Sequence, residues 1–270
     1  MHPNGGRMRH WWMLCLLLLA ACGGGDPNAG GNNPGEPPRI IQWNRDPLAV
    51  VFRADVVGGE RTPVQAANYI PPCTIYGDGR IVFTRPNPNG NTDVIFDVLN
   101  DSRIDDFVNY LTVDQRIFTY DEGFIREVPQ SVTPVYEQIV LEVNGTRHVT
   151  DAFANWPGSY FAEIVEACQR LAPTPRLFVP TGAWVGAVPI ANPDPLKPTI
   201  LWNNEAAGIN LSGIAQDGTV RWVESNAILS LWNNVILSPG DVQFNDQIGI
   251  YAVTLQVPGV TLNAPAAPQQ

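Results

Sequence analysis

The sequence predicts an α+β fold: an antiparallel sheet of hairpins with two helices packed on one face, followed by a mostly-β C-terminal portion. Three observations carry that reading. β-Branched runs are joined by turn dipeptides at Asp78-Gly79 and Asn144-Gly145. Two segments, 100–111 and 157–172, space their apolar residues for helix rather than strand. Gly and Pro supply 24 and 25 of the 270 residues, which favours turns over long helices.

The first element is "PLAVVFRADVV", Pro47 to Val57, a buried strand stopped by Gly58-Gly59. "PPCTIYGDGRIVFT" follows, and its Asp78-Gly79 marks a hairpin because Gly supplies positive φ at little cost. A two-residue turn there places Tyr76 opposite Ile81 and Thr74 opposite Phe83. Asp78 is thus a turn residue rather than a reactive carboxylate. "RPNPNGN" is a loop into the strand "TDVIFDVLN"; it lacks the ligand spacing of an EF-hand. In "NDSRIDDFVNYL", Ile104, Phe107, Val108 and Leu111 form one helical stripe. Ser102 and Asp105 have capping-box spacing at its start. Val135 to Phe153 reads as a hairpin turning at Asn144-Gly145. In the helix after Pro157, Phe161, Ile164, Val165 and Cys168 share a face, and Pro173 stops it.

This places an α+β domain at 46–174 and a mostly-β portion at 175–262, with a disordered tail at 263–270. In the second portion "GAWVGAVPI" reads as a strand, and "GINLSGIAQDGTVRWVES" as a hairpin turning at Asp217-Gly218. "NAILSLW" reads as a short helix and "VQFNDQIGIYAVTLQV" as a closing hairpin. "QDGTVRW" echoes "GDGRIVF", so a diverged internal repeat is one reading and recurrent Asp-Gly turn chemistry the other.

The N-terminus carries Arg7 and Arg9, then the apolar run "WWMLCLLLLA", too short to span a bilayer comfortably. It ends in Leu19-Ala20-Ala21-Cys22, which resembles the lipobox of bacterial lipoproteins. The resemblance implies a signal peptide at 1–21 and a diacylglycerol on the Cys22 thiol. It also implies tethering to the extracytoplasmic face of a bacterial membrane, at the cell surface or in the periplasm. Residues 22–45, rich in Gly, Pro and Asn, read as a flexible stalk. The run Cys73 to Gly79 with Arg80 to Phe83, then helix, hairpin and helix, resembles an uncharacterised bacterial secreted lipoprotein family. That likeness covers about the first half of the processed chain and implies architecture and location, but no activity.

Without its first 21 residues the chain keeps 14 basic side chains against 26 acidic ones, a net charge of −12. Such a surface repels phosphate backbones, and no basic stripe interleaved with aromatics is present, so no nucleic-acid partner is expected. His148, in a hairpin strand, is the histidine left to serve a Ser-His or Cys-His pair. The patterns for metal ligation and phosphate cradling are missing, so neither metal nor cofactor is expected. A carboxylate-based hydrolase remains the alternative, since any Asp/Glu pair can converge in space.

Two further expectations concern sites. "ILWNN" and "SLWNN" each put Trp before two Asn, so Trp202, Asn203, Trp232 and Asn233 are candidates for an envelope glycan or peptide site. The competing reading puts the indoles in the core and the amides at turns. With Cys15 removed and Cys22 acylated, Cys73 and Cys168 remain as a candidate disulfide pair, one starting a central strand and the other on the buried face of a helix; the competing reading is two separate buried thiols.

Overall fold

The computed structural model describes residues 41–121, 134–237 and 241–269. The expected signal peptide, Cys22 and the stalk as far as residue 40 lie outside the described residues. Among the described residues no helix is long and apolar enough to cross a membrane.

The architecture is α+β: a seven-stranded antiparallel sheet with helices, then a five-stranded mixed sheet. The first sheet is built from β1 (Val50–Gly58), β2 (Cys73–Tyr76), β3 (Arg80–Pro86), β4 (Thr92–Val98), β5 (Val135–Val143), β6 (Thr146–Asp151) and β7 (Arg176–Leu177). Their spatial order is β6-β5-β1-β2-β3-β4-β7. A short helix α1 (Pro63–Ala67) follows β1, and α2 (Asp101–Asn109) and α3 (Tyr160–Gln169) cover one face. Cys73, Ile75, Ile81, Phe83 and Ile95 point to that face and pack on Ile104, Phe107, Ile164 and Cys168. Cys73 and Cys168 are joined in a disulfide across 95 residues, tying β2 to α3.

The β2–β3 register differs from the expected one. Ile75 pairs with Ile81, Thr74 with Val82 and Cys73 with Phe83. The loop holds three residues, Gly77 to Gly79, and of these only Gly79 has positive φ (+86°), with its N–H donating to the Tyr76 carbonyl at 3.0 Å. A three-residue loop with one left-handed glycine shifts the pairing by one position relative to a two-residue turn. The shift sorts the side chains: Cys73, Ile75, Ile81 and Phe83 join the helix-side core, while Tyr76 and Val82 join the other. Asp78 is a turn residue, its carboxylate bonding Arg80 Nε at 2.6 Å. Residues 41–45, expected in the stalk, pack here instead: Trp43 is buried and donates from Nε1 to the Gly77 carbonyl at 3.2 Å.

The Asn144-Gly145 turn forms as expected, with φ of +53° and +70°. The α2 cap does not. Asn100, extended, accepts from Arg103 N–H at 3.0 Å, two residues ahead of the expected Ser102. The amide of Asn100 reaches the first free N–H groups, so the helix starts earlier.

The second sheet contains β8 (Ala183–Pro189), β9 (Thr199–Leu201), β10 (Arg221–Val223), β11 (Gln243–Asn245) and β12 (Ile250–Gln256) in the order β10-β8-β12-β11-β9. The β9–β11 pair is parallel and the others antiparallel. Three helices accompany it: α4 (Asn204–Ala207), α5 (Leu211–Asp217) and α6 (Ala227–Val235). The expected hairpin at Asp217-Gly218 is α5 running into β10. Asn210 caps the helix, Leu211 and Ile214 are buried, and Gly218 closes it at φ +65° with its N–H on the Ile214 carbonyl. Gly after Asp serves a helix end as readily as a hairpin. "QDGTVRW" and "GDGRIVF" are therefore not a structural repeat. Tyr76, Val82 and Val94, on the face of the first sheet away from α2 and α3, share a second core with Val185, Phe244, Val253 and Leu255.

Candidate functional site

A cleft of about 280 Å³ opens where α1 meets the second sheet. Its α1 wall is built by a capping box. Thr62 Oγ1 accepts from Gln65 N–H at 3.2 Å, and Gln65 Oε1 accepts from Thr62 N–H at 2.9 Å. Pro63 occupies the first turn, where its missing N–H costs nothing. The Asn68 amide at the helix end donates to the Val253 carbonyl at 2.9 Å and accepts from Leu255 N–H at 2.7 Å. It serves the β12 edge beyond the end of the three-residue β11.

The opposite wall is the 192–197 loop. Gln243, only 2% exposed, holds it with two bonds: its Oε1 accepts from Asp194 N–H at 2.9 Å, and its Nε2 donates to the Asp194 carbonyl at 2.8 Å. Leu196 N–H donates to Asp194 Oδ1 at 2.9 Å and turns the chain, bringing Lys197 over the cleft. Lys197 Nζ bonds Asp241 Oδ2 at 2.9 Å, and Gln65 Nε2 reaches the same carboxylate at 3.1 Å. The hydrogen bond from Lys197 holds the Asp241 carboxyl below its usual range, against the opposing effect of burial. The bond and charge of Asp241 raise the Lys197 ammonium. The pair is part-exposed, so it orients the mouth more than it stabilises the fold. Below it, Val64, Val242, Ala252 and Val253 give an apolar floor. The sequence reading missed this site, although Thr62-Pro-Val-Gln65 carries a helix-start signature.

The Trp-Asn-Asn segments take other roles. Trp202 is 6% exposed, donates from Nε1 to the Ile209 carbonyl at 3.0 Å and meets Phe244 edge-on. Asn203 caps α4 by accepting from Ala206 N–H at 2.9 Å. Trp232, 1% exposed, lies with Ile228 and Leu231 on the buried stripe of α6, against Phe178. Asn233 is on the exposed side of α6. Trp202 and Asn203 edge a shallow depression with Ser230, but Trp232 and Asn233 do not line it. Neither indole offers a face for a sugar to stack on. Trp after a strand and Trp inside a helix fall on their core sides, and the adjacent amides go to a cap and a surface.

The buried carboxylates lie elsewhere. Asp55 on β1 and Asp151 on β6 flank Gln138 of β5 in one row of the first sheet. Arg53 Nε lies 3.4 Å from Asp55, and Tyr69 beside them is pushed up to about 12, by burial and then by the Asp55 charge. Asp97 accepts from Thr174 N–H at 2.6 Å. His148 on β6 donates from Nε2 to the Ile117 carbonyl at 3.0 Å, its ring against Phe118. None of these groups lines the cleft.

Asp246 is a carboxylate hub. Its Oδ1 accepts from Ile248 and Gly249 N–H, and its Oδ2 from Asn204 Nδ2 and Ser212 N–H, all at 2.9–3.1 Å. Burial disfavours the charge, but these bonds outweigh it and hold the carboxyl below its ordinary range. A depressed folded value stabilises the protein above the unfolded carboxylate value, and that stabilisation is lost as pH falls through the folded one. We expect Asp246→Asn to cost about 1–3 kcal/mol at pH 7 and to flatten the fall in stability on acidification. Urea unfolding of both proteins at pH 7 and at pH 3 tests this; a constant difference between them at the two pH values would contradict it.

Fold and cleft together define an α+β protein with a ligand-sized cleft between α1 and its second sheet. The chain matches no family model, no curated protein and no solved structure.

Proposed function

We propose that this chain is a lipid-anchored extracytoplasmic protein whose folded part binds a ligand or partner, or serves the envelope structurally, without turning a substrate over. The Cys73–Cys168 disulfide carries the reading. A bridge of this kind belongs to oxidising compartments and is rare where glutathione and thioredoxin keep thiols reduced. The N-terminal pattern agrees with it: Arg7 and Arg9, an apolar run, then Leu19-Ala20-Ala21-Cys22. A diacylglycerol on Cys22 supplies the membrane tether. The cleft favours binding over proton-transfer chemistry. Its ammonium is raised and its paired carboxylate lowered, so each stays charged near neutral pH.

The experiment is membrane fractionation with metabolic palmitate labelling. The wild type should label and sediment with membranes; Cys22→Ser should lose the label and appear in the soluble extracytoplasmic fraction. A soluble, unlabelled wild type, or a membrane-bound Cys22→Ser, would end the lipoprotein reading.

A further inference from the structure

We propose that the α1 cleft binds a free α-amino acid with an apolar side chain, of about the size of leucine; this rests on the binding reading above. The mouth and floor make different demands. The floor of Val64, Val242, Ala252 and Val253 takes hydrocarbon. The mouth presents both signs of charge within one rim: the Lys197 ammonium and the carboxylates of Asp194 and Asp241. Lys197 has three donors, and one bonds Asp241. An α-carboxylate takes up the remaining donors, and an α-ammonium faces Asp194.

Other ligand classes fit less well. Two carboxylates against one ammonium disfavour a phosphate or a fatty acid, whose charge only Lys197 would answer. Among the described residues no aromatic side chain lines the cleft, so a sugar lacks its stacking platform. A plain hydrocarbon strips water from the charged mouth and offers no polar contact in its place. A volume of about 280 Å³ lies at the small end for ligand sites, which suits an amino acid rather than a cofactor. The walls are set in advance: Gln243 pins the 192–197 loop, and the Thr62–Gln65 capping box pins α1.

Isothermal titration of the full chain in detergent with L-leucine tests the site. Two single-charge probes accompany it: 4-methylpentanoate, which keeps the carboxylate, and 3-methylbutylamine, which keeps the ammonium. Leucine should bind at one equivalent, and each probe at least about tenfold more weakly, since each makes only one of the two charged contacts. Lys197→Gln and Asp194→Asn should each weaken leucine by about tenfold or more while their melting temperatures stay near that of the wild type. No heat with millimolar leucine overturns the proposal, as does a probe that binds as tightly as leucine. The probe series uses the wild-type chain, so it decides the matter even where a variant folds poorly. Membrane tethering through Cys22 is read separately by fractionation. A tethered chain that ignores leucine overturns this site alone, and an untethered chain that binds it overturns the anchor alone.

Discussion

Replacing Cys73 and Cys168 together with alanine is expected to lower stability by about 4–5 kcal/mol, the largest effect of any change considered. The bridge spans 95 residues, and closing a loop of that length removes about 4–5 kcal/mol of denatured-state entropy in the chain-entropy account. Both sulfurs lie in the helix-side core, between β2 and α3, so their loss also leaves small voids among Ile75, Ile164 and their neighbours. Total stabilities of about 5–15 kcal/mol are usual for domains, so a loss of this size takes a large fraction of what holds the fold. Urea denaturation of the double variant and of the oxidised wild type measures it. A difference below about 1 kcal/mol would mean that the bridge contributes little to the fold. Urea denaturation of the wild type with and without reductant provides a second reading that involves no substitution.

The pairing was legible in the sequence because two periodicities converge on it. Cys168 repeats with Phe161 and Ile164 on one helical face, and Cys73 begins an apolar strand, so both side chains must enter the same core. Register was less legible. Asp78-Gly79 announces a turn, but whether two or three residues form the loop depends on which of them takes positive φ, and only Gly79 does. The same dipeptide at Asp217-Gly218 ends a helix, because Asn210 caps the chain seven residues before Asp217 and Leu211 and Ile214 fall on one face. Local chemistry permits both outcomes, and the apolar spacing before the dipeptide decides between them. The tryptophans misled for a related reason. A repeated Trp-Asn-Asn triplet suggests a repeated role, yet one indole leaves a strand and the other sits in a helix, and both point inward. The cleft was invisible for a different reason. Thr62, Lys197, Asp241 and Val253 are brought together by the packing of α1 against the second sheet, and no short window of sequence holds more than a fragment of it.

Gly77→Ala should destabilise the protein by about 2–4 kcal/mol, although the backbone at Gly77 is not in the left-handed region. The cause is contact. A Cβ at this position would lie 2.0 Å from the Asn44 carbonyl oxygen and 2.6 Å from that of Asp46. Both are backbone atoms, so no rotamer change relieves the clash. The 43–46 segment is also held from several sides. Trp43 Nε1 donates to the Gly77 carbonyl, Arg45 pairs with Asp101 at 2.7 Å, and the Asn44 and Asp46 side chains bond the next turns of their own chain. Gly77 N–H donates to the Ala49 carbonyl at 2.8 Å, which fixes the hairpin tip from the other side. Making room for a methyl group therefore breaks the Trp43 bond and lifts a buried indole off the core. Gly145→Ala is the matched control, since Gly145 has φ of +70° and open space where a Cβ would stand. It should cost only the strain of a left-handed alanine, about 1 kcal/mol. Denaturation midpoints of the two variants separate the mechanisms. If Gly77→Ala proves no worse than Gly145→Ala, the 43–46 segment yields freely and the close approach does not hold the hairpin.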